Sequence, residues 1–230
     1  ENINRYFRVI RHPVRGAILV GQEKSIDELF SAEGVFELQW DQGSYKPVQK
    51  VPLPKGMNIF GFTIGDVFNV GQDVIAGFNE NDHFLVMDQS GNQEYKSEDP
   101  YGGSTLFLET DAVMDRRKKD HDFLPQRIHV GDINNDGKNE LIVVRNVDYS
   151  KRLLANFRAF KSGHIECLSW DQMGFSEKWR TRKVSGYISD YLIADIDNDG
   201  KDELALVVVA RTGAVAGAEA KSYVVAQDLN

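Results

Sequence analysis

The chain has a single cysteine, and no apolar run approaches the roughly 20 residues that a membrane-spanning helix needs. One thiol excludes an internal disulfide framework. Its setting, Ile165 to Trp170 with Cys167 between, predicts one face of a strand rather than a reactive site. Cations are in deficit as well: 27 Lys and Arg stand against 35 Asp and Glu, a formal net charge of -8. That balance argues against a nucleic-acid partner, which is held by clustered cations that displace counterions. The one basic run, Arg116 to Lys119, is flanked by Asp115, Asp120 and Asp122, which cancel its field. No secretory leader pattern opens the sequence, so Glu1 is read as following a removed leader or as an internal position of a longer protein. Catalytic signatures are missing too: there is no nucleophile elbow, no His-Glu-x-x-His and no dinucleotide glycine fingerprint. The histidines (His12, His83, His121, His129, His164) are scattered, with His121 beside Asp122 the nearest approach to a cluster. These absences predict a protein that is not an enzyme.

What is present is repetition. Asp132, Asn134, Asp136, Gly137, Lys138 and Glu140 lead into Leu-Ile-Val-Val, and Asp195, Asp197, Asp199, Gly200, Lys201 and Glu203 lead into Leu-Ala-Leu-Val. A step of similar size backwards reaches Asp66, with Gly71 at its sixth position. One more reaches a turn at His12–Gly16 between two β-rich segments. The third strands are expected at Val35–Trp40, Phe84–Met87, Phe157–Phe160 and Tyr223–Ala226. A period of about 60 residues holding roughly four short antiparallel strands is the size of a propeller blade. The expected fold class is therefore all-β, a β-propeller with about 3.5–4 blades at 1–58, 59–125, 126–186 and 187–230. The last blade is incomplete, with about three strands, so the chain is expected to be part of a larger propeller; a compact four-bladed ring is the alternative. The best helix candidate, Asp111–Asp120, is expected as an insertion between blades 2 and 3, a charged loop being the other reading.

The loop spacing specifies chemistry. Side-chain oxygens at positions 1, 3 and 5 converge when the backbone coils tightly, and glycine at position 6 permits the positive φ that the coil needs. A carbonyl at position 7 and a carboxylate at position 9 complete an oxygen shell suited to Ca²⁺. The expected metal residues are Asp132, Asn134, Asp136, the Lys138 carbonyl and Glu140 in one site. The second site has Asp195, Asp197, Asp199, the Lys201 carbonyl and Glu203. Both lysine side chains must point away. An EF-hand would place its closing Glu at position 12, where Val143 and Leu206 stand. In the Asp66 loop Phe68, Val70 and Val74 replace three ligands, so a turn without calcium is expected there, with Asp66 capping backbone amides. Two bound ions would bring the formal charge to about -4.

These two loops resemble FG-GAP/VCBS repeats, the calcium-loop β-propellers of integrin α heads and of many bacterial envelope and secreted proteins. Phe60-Gly61 ahead of Asp66 fits the first half of that pattern, and no Gly-Ala-Pro follows. The wider chain, with Tyr6-Phe-Arg-Val, Pro52-Leu-Pro, Pro100-Tyr-Gly-Gly and the segment Trp179 to Tyr187, is similar to the C-terminal propeller of bacterial VCBS-repeat proteins. The resemblance implies an extracytoplasmic scaffold, in the periplasm, at the outer membrane or on the cell surface, with a protein or glycan partner or the missing N-terminal blades of the same protein. An accessory propeller of a polysaccharide-active or other hydrolytic enzyme is the second reading. Tyr101, Trp170 and Phe175, in glycine-bearing turns, are the candidate surface contacts, whereas Trp40 and Trp179 lie in strand-like segments and are expected in the core.

Overall fold

Period-two alternation decides where each strand buries its side chains. The computed structural model describes residues 4–25, 29–111, 119–148, 157–210 and 221–229. Blade 1 is an antiparallel meander of β1 (Arg5–His12), β2 (Gly16–Glu23), β3 (Val35–Asp41) and β4 (Ser44–Val51). Blade 2 repeats it with β5 (Phe62–Gly65), β6 (Val74–Phe78), β7 (Phe84–Met87) and β8 (Gln93–Lys96). A separate hairpin, β9 (Phe107–Asp111) with β10 (Lys119–Phe123), precedes blade 3. Blade 3 holds β11 (Ile128–Gly131), β12 (Glu140–Asp148), β13 (Phe160–Trp170) and β14 (Phe175–Arg180), with the short β15 (Val184–Ser185) on β13. Blade 4 has three strands, β16 (Tyr187–Ala194), β17 (Glu203–Ala210) and β18 (Lys221–Asp228). The chain is thus an all-β, four-bladed propeller. No helix among the described residues is long and apolar enough to cross a membrane.

Three seams hold the blades together. Ile10, Ile18, Val20 and Val35 of blade 1 meet Phe62, Ile64, Ile75 and Met87 of blade 2. Val74, Ala76 and Phe78 turn the other way, onto Val130, Leu141 and Val143 of blade 3. In β12 the neighbours Ile142 and Val144 point to blade 4, where Ile188, Tyr191, Leu204 and Leu206 receive them. A blade covered on both faces needs a continuous apolar run, which is why β6 and β12 read Val-Ile-Ala-Gly-Phe and Leu-Ile-Val-Val. Blades 1 and 4 alternate instead, because each has one covered face. Among the described residues no core cluster joins blade 4 to blade 1. On the uncovered faces Val9 is 56% exposed and Val224 69%.

The structure corrects several sequence expectations. Trp40 is 61% exposed, packed edge-to-face on Tyr45 at 5.1 Å, because it falls past the covered part of β3. Trp179 does pack against the seam between blades 3 and 4. The third strand of blade 3 begins at Phe160, so most of Phe157–Phe160 precedes it. Residues 112–118 of the helix candidate lie outside the described residues, and its ends belong to strands, with Lys119 paired to Asp111. Cys167 is buried in β13, and burial pushes its thiol up to about 12, which makes it inert at neutral pH.

Inner strands β1, β11 and β16, with Thr63 of β5, surround a cavity of about 810 Å³ at the propeller axis. His129 lines it, and burial pushes its imidazole down to about 4; Asp202 opposes the shift, and Arg11 and Arg127 reinforce it. The unfolded chain takes up that proton near pH 6.5, whereas the folded chain does not until about pH 4. This contribution to stability is therefore complete above pH 6.5 and is lost as pH falls toward 4. His129→Gln is expected to flatten the pH dependence of the urea midpoint in that window, by about 2–3 kcal/mol relative to the parent protein. Parallel pH profiles for the two proteins would contradict it.

Candidate metal centre

Blades 2, 3 and 4 join their first strand to their second by the same turn. In blades 3 and 4 the register fixes its two ends: Gly131 pairs with Glu140, and Ala194 with Glu203. The closing glutamate is thus the first residue of the second strand, held against the last residue of the first. Between them the leading aspartate caps the coil. Asp132 Oδ1 and Oδ2 accept the N–H groups of Asp136 and Gly137 at 3.0 and 2.8 Å. Asp195 accepts those of Asp199 and Gly200 at 3.1 and 3.0 Å. Glu140 Oε2 accepts the Ile133 N–H at 3.0 Å, and Glu203 Oε2 the Ile196 N–H at 2.7 Å. Gly137 and Gly200 have φ of 84° and 90°, the left-handed conformation that the spacing called for.

The turn forms without metal-type ligands in blade 2. Asp66 accepts the N–H groups of Val70 and Gly71 at 3.0 and 2.7 Å, as its counterparts do. Gly65 pairs with Val74, so Val74 stands where the glutamates stand, and it is buried in the seam to blade 3. In blade 1 the turn is shorter, and His12, the last residue of β1, caps it. Its Nδ1 accepts the N–H groups of Val14 and Arg15 at 3.1 and 3.0 Å, which puts the ring proton on Nε2, donated to Asp73 at 2.8 Å. The aspartate-glycine framework is thus a turn device first, and it offers a donor set for a cation only where oxygens fill positions 3, 5 and 9.

They do so most completely in blade 4. One oxygen each from Asp195, Asp197, Asp199 and Glu203 lies within 4.8 Å of the others, three on exposed residues and one on a buried residue. Four carboxylates so close repel one another unless a cation stands among them, and a divalent ion fits this donor set. In blade 3, Asn134 stands where Asp197 stands. Its Oδ1 accepts the Asp136 N–H at 2.9 Å, as Asp197 Oδ1 accepts the Asp199 N–H at 3.1 Å. Its Nδ2 donates to Asp136 and Glu140 at 3.1 and 3.4 Å, supplying internally part of the positive charge that an ion would bring. Burial pushes the Glu140 carboxyl up against the pull of the Ile133 N–H, and Asp136 and Asp132 push the same way. Lys138 and Lys201 are exposed, and their N–H groups donate to Asp136 and Asp199, both at 2.9 Å.

The aromatic residues expected as surface contacts are half-buried. Phe175 and Trp170 meet edge-to-face at 5.1 Å, Trp170 lies 4.6 Å from Phe68, and Tyr101 meets Phe84 at 5.3 Å. All three are half-buried at the seam between blades 2 and 3, and the Tyr101 ring also lies under the Arg145 guanidinium. One feature escaped the sequence. Asn69, within the Asp66 loop, donates to the Asn139 carbonyl at 3.1 Å and accepts its N–H at 2.7 Å, tying the blade 2 turn to the blade 3 loop. The positive φ of Asn69 (58°) matches those of Asn135 and Asn198 in the other loops, so the alignment of the repeats marks the position but not the tie.

No family model matches the chain, and no curated protein matches it.

Proposed function

We propose that this protein is a non-catalytic, calcium-stabilised β-propeller of the FG-GAP/VCBS kind, acting outside the cytoplasm as an interaction scaffold for a protein or glycan. The observation that carries this reading is the structural equivalence of the two acidic turns, with four carboxylates converging in one of them. Ca²⁺ suits an all-oxygen set on a coiled loop better than Mg²⁺, which demands a smaller, near-octahedral shell and gives up its waters reluctantly. Sites with affinities of about 10⁻⁴–10⁻³ M, usual for extracellular modules, fill outside the cytoplasm and not within it.

One aromatic surface that a partner could use is Trp40 with Tyr45 on the β3–β4 hairpin, where both rings are exposed. Exposed aromatic rings of this kind stack on sugars and anchor peptides. Further blades of a larger ring would have to pack on the uncovered faces of blades 1 and 4.

Melting in chelator and in millimolar CaCl₂ tests the metal assignment. A site filled at 100 times Kd adds about 2.7 kcal/mol, worth about 5–10 °C in a chain of this size. Equal amounts of MgCl₂ should do much less. Coincident melts in chelator and calcium would end the calcium reading.

A further inference from the structure

The axial cavity has a charge opposite to that of the protein. Among the residues lining it are Arg8, Arg11 and Arg127, with Asp190 as the one carboxylate. Arg127 is committed to Asp190 through two bonds of 2.6 Å. Arg8 is anchored from behind: its Nη1 donates to the Ile59 and Phe62 carbonyls at 2.9 and 2.7 Å. Among the described residues its Nε and Nη2 have no acceptor, and Arg11 has no hydrogen-bond or ion-pair partner. Burial pushes Arg8 down to about 10 and repulsion from Arg127 adds to it, while Tyr191 and Asp190 pull the other way. In a chain of net charge -8 such a convergence is not a by-product of composition. Arg8 and Arg11 stand three residues apart on β1 and Arg127 immediately precedes β11, so the fold brings two distant segments together.

We propose that the axial cavity binds a small organic carboxylate, held by Arg8 and Arg11 with its carbon skeleton against Val9, Leu106 and Leu192. Guanidinium groups present paired N–H donors that match the two oxygens of a carboxylate. The apolar walls favour a molecule with a carbon body over an inorganic anion, and about 810 Å³ lies within the usual range of ligand pockets. The site is separate from the acidic turns, so it does not rest on the calcium assignment.

Titration of the whole protein with succinate, followed by the arginine Nε–H resonances, tests the proposal with and without chelator. Succinate is expected to shift the Arg8 and Arg11 signals saturably, and Arg11→Gln to weaken binding about tenfold, the loss of one charge-assisted pair. Arg11 is exposed and unbonded, so its replacement leaves folding intact even if Arg8→Gln does not. Arg180→Gln, which removes an exposed arginine of β14, is expected to change nothing. Absence of a saturable shift, or equal weakening by Arg11→Gln and Arg180→Gln, would overturn the site. Inorganic phosphate binding as tightly as succinate would overturn the organic ligand.

Discussion

Asn146→Leu is expected to destabilise the protein by about 2–4 kcal/mol, a large effect for a residue outside every hydrophobic cluster. The reason lies at the seam between blades 3 and 4. Asn146, in β12, accepts the Ile188 N–H at 2.9 Å and donates to the Ile188 and Gly103 carbonyls, both at 2.8 Å. Its carboxamide therefore acts as one unit of a strand ladder for β16, whose backbone at that edge has no strand beside it. Gln126 also donates to the same two carbonyls, at 3.1 Å each, so they keep a donor when Asn146 is replaced. The Ile188 N–H loses its acceptor, and Ile188 is fully buried. The cost of that orphaned donor is what urea unfolding should report. Asn146→Asp should be at least as damaging, because a carboxylate would face two carbonyl oxygens. The absence of a side chain at Gly163, paired with Asn146 across the sheet, belongs to the same arrangement, since an added Cβ would strike Asn146 Oδ1. A loss below about 0.5 kcal/mol for Asn146→Leu would show that water replaces the ladder at no cost.

The legible and illegible parts of this chain divide along a physical line. The blade repeat, the strand-turn-strand units and the acidic loops are local: Asp132 and Glu140 find each other through a coil whose geometry their own spacing dictates. The loss of ligands at Phe68, Val70 and Val74 was readable for the same reason, and the Gly65–Val74 pairing supplies its register. Seams between blades are not local. Nothing near Tyr101, Trp170 or Phe175 in sequence shows that Phe68 and Phe84 will cover them, and turn-like neighbours made them look exposed. Trp40 failed the other way, since a strand pattern cannot show how far along its length the next blade reaches. Asn146 and the arginines of the axis are the extreme case, being ordinary polar residues until four blades place them.

Asp195→Ala and Glu203→Gln should separate the two jobs of the acidic turn. Asp195 holds two backbone N–H groups whether or not an ion is present, so Asp195→Ala is expected to cost about 1–2 kcal/mol in chelator. It should also abolish the calcium increment of that loop. Glu203→Gln keeps an oxygen for the Ile196 N–H while removing one of four crowded charges. In chelator it should be neutral or slightly stabilising, and in calcium it should lose the same increment, about 2.7 kcal/mol at 100 times Kd. Asp66→Ala is the control: it removes the same two-amide cap from a turn without ligands, so it should lower stability equally with and without calcium. Full retention of the calcium increment by Glu203→Gln would place the ion elsewhere. The blade 3 loop should respond less than the blade 4 loop, because Asn134 Nδ2 already relieves Asp136 and Glu140. Asn134→Asp removes that relief, and it should make the first loop weaker in chelator and more strongly stabilised by calcium.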